Sequence, residues 1–141
     1  MFQTIIIIGN LGKDPEMRYT PSGQAVTSFS VATNRSYTDS SGQQVKETIW
    51  FRVSVWGKQA ESTHTYLKKG SKVVVEGRLT ADPKTGGPRT FQRSDGTTSA
   101  SFEISATNVR FLSTRPEGGE PGAASEDAVD VAPGIEDDLP F

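Results

Sequence analysis

At 141 residues the chain has room for one ordinary domain and an extension, not for a two-domain enzyme. It has no cysteine and a single histidine, His64, so a disulfide scaffold and a thiolate metal site are excluded, and neither a metal nor a cofactor is expected. The net charge of -2 conceals a polarity: residues 1–113 carry 14 Lys and Arg against 9 Asp and Glu, whereas residues 114–141 carry one Arg against 8 acids. A basic body is therefore joined to an acidic tail, a division typical of proteins whose two parts meet different partners.

The first strand is expected over residues 2–9. It contains four consecutive isoleucines, residues 5–8, far short of the roughly 20 apolar residues of a membrane-spanning helix. With no signal-peptide pattern either, a soluble cytoplasmic protein is expected. Ile5 and Ile7 point one way along this strand and Ile6 and Ile8 the other, so both faces are apolar. One face meets the core; the other meets a second subunit or the chain's own loops.

Further strands are expected over 25–33, 48–56, 72–79 and 102–112, where β-branched and aromatic residues concentrate. Gly9-Asn10, Asp14-Pro15, Pro21-Ser22-Gly23, Asp39-Ser40-Ser41-Gly42 and Asp95-Gly96 supply the breaks. Between the third and fourth strands, Ala60, Thr63, His64 and Leu67 recur at helical spacing, which predicts a helix over 59–69 with Gly70 as a left-handed C-cap. Three strands, a helix and two strands is the element order of an OB-fold. The expected class is thus all-β with one short helix, a five-stranded Greek-key barrel over 1–112 of a kind that commonly binds oligonucleotides. Another small barrel or sandwich is the structural alternative.

The third strand carries the chemistry. Phe51, Val53 and Val55 form an apolar face suited to a core, while Trp50, Arg52, Ser54 and Trp56 form the opposite face. Two tryptophans around a guanidinium offer nucleobases a stacking surface whatever their identity, and an arginine to hold phosphates. The alternative is that the rings pack under a loop or against another subunit. Tyr37, expected in the loop between strands two and three, and Phe91, expected in the long loop between strands four and five, extend this aromatic set. Arg35, Lys46, Lys58, Lys69, Lys72, Arg78, Arg89 and Arg93 are candidate phosphate contacts around it, although many lone surface charges are only solvated.

Catalysis finds no support, and no catalytic residue is assigned. Residues 9–13, Gly-Asn-Leu-Gly-Lys, lack the spacing of a phosphate-binding P-loop, no Gly-x-Gly-x-x-Gly follows a strand, and no nucleophile pairs with His64.

From residue 113 the composition turns to Gly, Pro, Ala, Ser, Asp and Glu, too poor in apolar surface to offset the entropy of ordering, and a disordered acidic tail is expected over 113–141. It closes on Asp137, Asp138, Leu139, Pro140 and Phe141. An apolar cluster at the tip of an acidic arm reads either as a short linear motif that folds onto a partner's pocket or as a merely solubilising terminus.

Several ordered motifs resemble one family. Residues 7–19, Ile-Ile-Gly-Asn-Leu-Gly-Lys-Asp-Pro-Glu-Met-Arg-Tyr, are followed by Trp50-Phe51-Arg52-Val53 and Trp56-Gly57-Lys58-Gln59-Ala60-Glu61. Then come Tyr66-Leu67-Lys68-Lys69-Gly70-Ser71 and Val75-Glu76-Gly77-Arg78-Leu79. Together they are similar to bacterial single-stranded DNA-binding proteins. The resemblance implies an OB-fold usually assembled as a homotetramer, around which single-stranded DNA wraps in the cytoplasm, at the nucleoid. It implies stacking roles for Trp50 and Trp56, an aromatic stacker at Tyr37, a fourth at Phe91, and a phosphate path past Arg52, Lys58 and Lys69. Asp137, Asp138, Leu139, Pro140 and Phe141 are similar to the family's acidic tip, which recruits replication, recombination and repair proteins. Residues 80–90 form a longer stretch than is usual for the family.

Overall fold

The computed structural model describes residues 1–112. In chain order the elements are β1 (Ile5–Leu11), β2 (Glu16–Tyr19), β3 (Ala25–Thr38), β4 (Gln44–Trp56), α1 (Lys58–Tyr66), β5 (Lys72–Thr80), β6 (Arg89–Gln92) and β7 (Thr98–Phe111). β1 pairs with β5, β5 with β7, β7 with β4, β4 with β3, and β3 returns to β1 through Asn10–Ala32 and Leu11–Val31. These five strands close a barrel, antiparallel except for the parallel β4–β7 pair, which is the expected OB-fold. β2 adds to the free side of β3, and β6 pairs with the first residues of β7.

Closure depends on a close approach at Gly9, where a Cβ would lie 2.2 Å from the Ala32 carbonyl oxygen. Inside the barrel, Val31, Val53, Val73, Val75 and Ile104 are fully buried, and Ile7 and Phe29 pack with them. α1 covers one end. Ala60, Thr63 and Leu67 are buried there, and the hydroxyl of buried Thr27 on β3 donates to the Ala60 carbonyl at 2.6 Å.

The structure corrects several element boundaries. β3 runs to Thr38 and β4 begins at Gln44, so a two-stranded ribbon stands out beyond the barrel where a loop was expected. Residues 89–92 form β6, in a hairpin with a β7 that starts at Thr98 rather than at 102. Both hairpin tips use the same device: the Asp39 amide donates to the Gln43 carbonyl and the Arg93 amide to the Thr97 carbonyl, closing loops 40–42 and 94–96 whose last residue, Gly42 or Gly96, has a positive φ of 83° or 85°. α1 stops at Tyr66 because Leu67 leaves the helix in an extended conformation that buries its side chain; its amide still donates to the Thr63 carbonyl. Gly70 does adopt positive φ, but in the following turn, where its amide donates to the Leu11 carbonyl. The acidic tail over 113–141 and its tip at Asp137, Asp138, Leu139, Pro140 and Phe141 lie outside the described residues.

Candidate nucleic-acid interface

β4 has one buried and one exposed face because its alternate residues answer to different surroundings. Phe51, Val53 and Val55 enter the core, while Trp50 and Trp56 stand outside it, 53% and 44% exposed, with Arg52 exposed between them. The strand beside them on β3 presents small side chains: Trp50 is in register with Ala32, Arg52 with Ser30 and Ser54 with Ser28. That shelf of small residues flanks Trp50 and Arg52, whereas Trp56 is in register with the buried Val26. Beneath Trp50 lies Gly12, where a Cβ would fall 2.5 Å from Trp50 Cζ3. Six residues of strand separate the two rings by about 20 Å.

The outer face continues across the barrel. On β7, Glu103 is in register with Arg52 and Ser105 with Ser54; on β5, Arg78 is in register with Ser105. β6 extends it, since Phe91 pairs with Ser99 and Arg89 with Ser101, on the same side of β7 as Glu103. Phe91, 49% exposed, therefore belongs to a strand rather than to a loop, and it shares the face of the two tryptophans. Lys46 lies on that face too, opposite Ser36 in the ribbon.

Tyr37 does not. It sits within β3, paired with Val45, and alternation from buried Val31 places Arg35 and Tyr37 on the side that continues the core. There the Arg35 guanidinium lies 4.8 Å from the Tyr37 ring centroid, and the Tyr37 hydroxyl donates to Glu47 at 3.3 Å. Tyr37 thus lies on the opposite side of the sheet from Trp50, Trp56 and Phe91.

The remaining cations are spread over the two ends of α1 and the start of β5. Lys58 opens α1 two residues after Trp56, the Lys69 amide donates to Asp14 at 2.8 Å, and Lys72 begins β5 in register with Asn10. Lys72, Arg35 and Lys46 line one open groove between β1 and the ribbon, whose apolar wall is Ile6, Ile8 and Ile49. Ile6 and Ile8 are 61% and 58% exposed while Ile7 is buried, so the second face of β1 is not covered by the described residues.

Three residues of this surface escaped the sequence reading: Gly12, which carries Trp50, and the acids Glu47 and Glu103. Their positions depend on pairings between strands far apart in sequence. At the tips of the two arms, Asp39 and Asp95 are held below the ordinary carboxylate range, mainly by hydroxyl donors from Ser41 and Thr97 respectively and then by backbone amides. Among the described residues no helix is long and apolar enough to cross a membrane, and no group of three or more His, Asp or Glu is placed to hold a metal.

Residues 2–112 match the model of the single-strand binding protein family. The chain is 41% identical over 119 residues to a single-stranded DNA-binding protein of Neisseria meningitidis, a match covering 83% of this chain and 64% of that protein. With a single-stranded DNA-binding protein of Bacillus cereus it shares 39% identity over 120 residues, covering 85% and 65%. The chain thus spans somewhat under two thirds of the length of these relatives, whose names are those of binding proteins and not of enzymes. Among solved structures, Plasmodium falciparum SSB in complex with ssDNA superposes with a TM-score of 0.65 at 25% identity, over 79% of this chain and 96% of that one.

Proposed function

Because the chain belongs to the single-strand binding protein family, we propose that it binds and protects single-stranded DNA without reading its sequence, as a binding protein and not an enzyme. The observation that carries this reading is the outer face of β4, where two exposed tryptophans flank Arg52 on a strand whose other face is core. A π-face accepts any base, and stacking on an aromatic ring is worth roughly 1–3 kcal/mol per base. Phe91 adds a third platform on the same face, and Tyr37 a fourth on the other side of the ribbon. Phosphates are held by Arg52, Lys46 and Arg78 on the outer face, by Lys58, Lys69 and Lys72 near the helix, and by Arg35 on the ribbon, with the counterion release that makes such binding fall with salt.

The same reading extends to assembly and partners. The uncovered isoleucines of β1 support self-association, for which a homotetramer is the expected form, built on the 1–112 domain. The 113–141 tail, through Asp137, Asp138, Leu139, Pro140 and Phe141, recruits proteins of replication, recombination and repair, and the setting is the cytoplasm at the nucleoid. Deleting residues 139–141 leaves affinity for DNA intact and removes partner binding; unchanged partner binding contradicts the recruiting role. The DNA activity itself is tested by tryptophan fluorescence titrated with oligo-dT, duplex DNA and RNA at two salt concentrations. Strong quenching by oligo-dT alone is expected, and an equal response to duplex overturns the proposal.

A further inference from the structure

Both arms that project from the barrel repeat one arrangement. On the ribbon, Arg35 faces Glu47 across the strand pair, with Nη1 3.9 Å from Oε2, while the other carboxylate oxygen accepts the Tyr37 hydroxyl at 3.3 Å. On the β6–β7 hairpin, Arg89 Nε lies 3.6 Å from Glu103 Oε2, and the other oxygen accepts the Ser101 hydroxyl at 3.1 Å. Each arm thus carries an arginine, an aromatic residue two positions later on the same face, and a carboxylate from the adjacent strand with both oxygens engaged. The two arms also share a short pattern, an arginine, a Ser or Thr, an aromatic residue and, seven positions after the arginine, a glycine, in Arg35 to Gly42 and Arg89 to Gly96.

Glu103 makes the point most sharply. Its side chain is only 23% exposed, and in register beside it on β4 is Arg52, between the two tryptophans. A carboxylate at the centre of a phosphate-binding surface works against binding in two ways. It repels the phosphates directly, and it occupies a guanidinium that a phosphate would otherwise take in a charge-assisted, bidentate contact.

We infer that Glu47 and Glu103 act as acidic latches, each holding one arm's arginine until a DNA phosphate displaces it. The inference rests on the single-strand-binding reading and refines it. The Arg35–Glu47 pair is exposed and the Arg89 side of the other pair is too, at separations of 3.9 and 3.6 Å, so both pairs are weak and the latch opens without blocking the site. Its consequence is an exchange: a phosphate that takes the arginine leaves a carboxylate behind, and the carboxylate gathers cations as the phosphate sheds them. The arms then add grip without adding their full share of salt dependence, and a strand is released from them more easily than from free arginines.

The test is the affinity of the full chain for oligo-dT over a salt series, for the wild type, Glu47→Gln, Glu103→Gln and Glu61→Gln. The last removes the same charge from the exposed helix α1 and serves as the control. Each latch variant is expected to bind several-fold more tightly and to steepen the plot of log affinity against log salt by about 0.7, the share of one added phosphate contact on a single strand. Arg35→Ala is expected to cost more affinity in the Glu47→Gln background than in the wild type. Unmoved slopes, an equal change in Glu61→Gln, or an Arg35→Ala loss that is the same in both backgrounds overturns the latch while leaving DNA binding standing. A wild type that does not bind oligo-dT overturns both. Glu47 lies on an exposed ribbon outside the core, so its variant carries the test even where Glu103→Gln fails to fold.

Discussion

Gly12 lies directly under the ring of Trp50: a Cβ at this position would sit 2.5 Å from Cζ3 and 2.7 Å from Cη2. The absence of a side chain in the β1–β2 connection therefore decides the attitude of a ring on β4, two elements away. Gly12→Ala is expected to tilt Trp50 off the sheet while leaving the barrel intact. Because stacking is worth roughly 1–3 kcal/mol per base, the expected loss of oligo-dT affinity is about tenfold, with near-ultraviolet dichroism altered and the melting temperature almost unmoved. Wild-type affinity in this variant would show that Trp50 needs no such seat.

Ile6 and Ile8 present an apolar face on β1 while their neighbour Ile7 lies in the core. If self-association buries that face, replacing both exposed isoleucines with glutamate places charge in the interface without touching the core. Light scattering is expected to fall from an assembly to a single chain, with far-ultraviolet dichroism preserved. An undiminished assembly would move the contact to another surface.

Asp39 and Asp95 close the tips of the two arms, and the direction of their pKa shifts sets the pH dependence there. Both are lowered by donors present only in the folded hairpins: for Asp39 the Ser41 hydroxyl first and then the Gln43 amide, for Asp95 the hydroxyl and amide of Thr97. A carboxyl with a folded pKa below its unfolded one stabilises its surroundings above the unfolded value and loses that contribution as the pH falls through the folded one. Carbon-detected NMR titration is expected to place both midpoints below the ordinary aspartate value, with the Ser41 and Thr97 amide signals moving at the same pH. Midpoints at or above the ordinary value would mean the tip hydrogen bonds do not persist in solution.

What could be read in the sequence follows from how each segment is buried. Residues 50–56 announce themselves because one face of β4 is core and the other is not, so Phe51, Val53 and Val55 alternate cleanly with Trp50, Arg52 and Trp56. The outer halves of β3 and β4 have no such contrast. From Asn34 to Thr38 and from Lys46 to Trp50 every residue is exposed, and a two-stranded ribbon in solvent leaves no periodic trace. β6 is four exposed residues after Pro88, held by backbone pairing with the Ser- and Thr-rich start of β7. For the same reason Tyr37 and Phe91 were legible as aromatic residues in polar surroundings, but not as residues on opposite sides of one surface. Gly12, Glu47 and Glu103 become meaningful only through strand register, which local pattern does not carry.

The central claim is that the outer face of β4 is the stacking platform for single-stranded DNA, and the double variant Trp50→Ala, Trp56→Ala tests it most directly. Both side chains are about half exposed and lie outside the barrel core, so the double variant is expected to stay folded, as far-ultraviolet dichroism checks. With each ring worth roughly 1–3 kcal/mol, anisotropy titration of labelled oligo-dT at fixed salt is expected to show affinity reduced by about thirtyfold or more. A well-folded double variant that binds within about twofold of the wild type, well inside what a single stacked base contributes, would contradict the account.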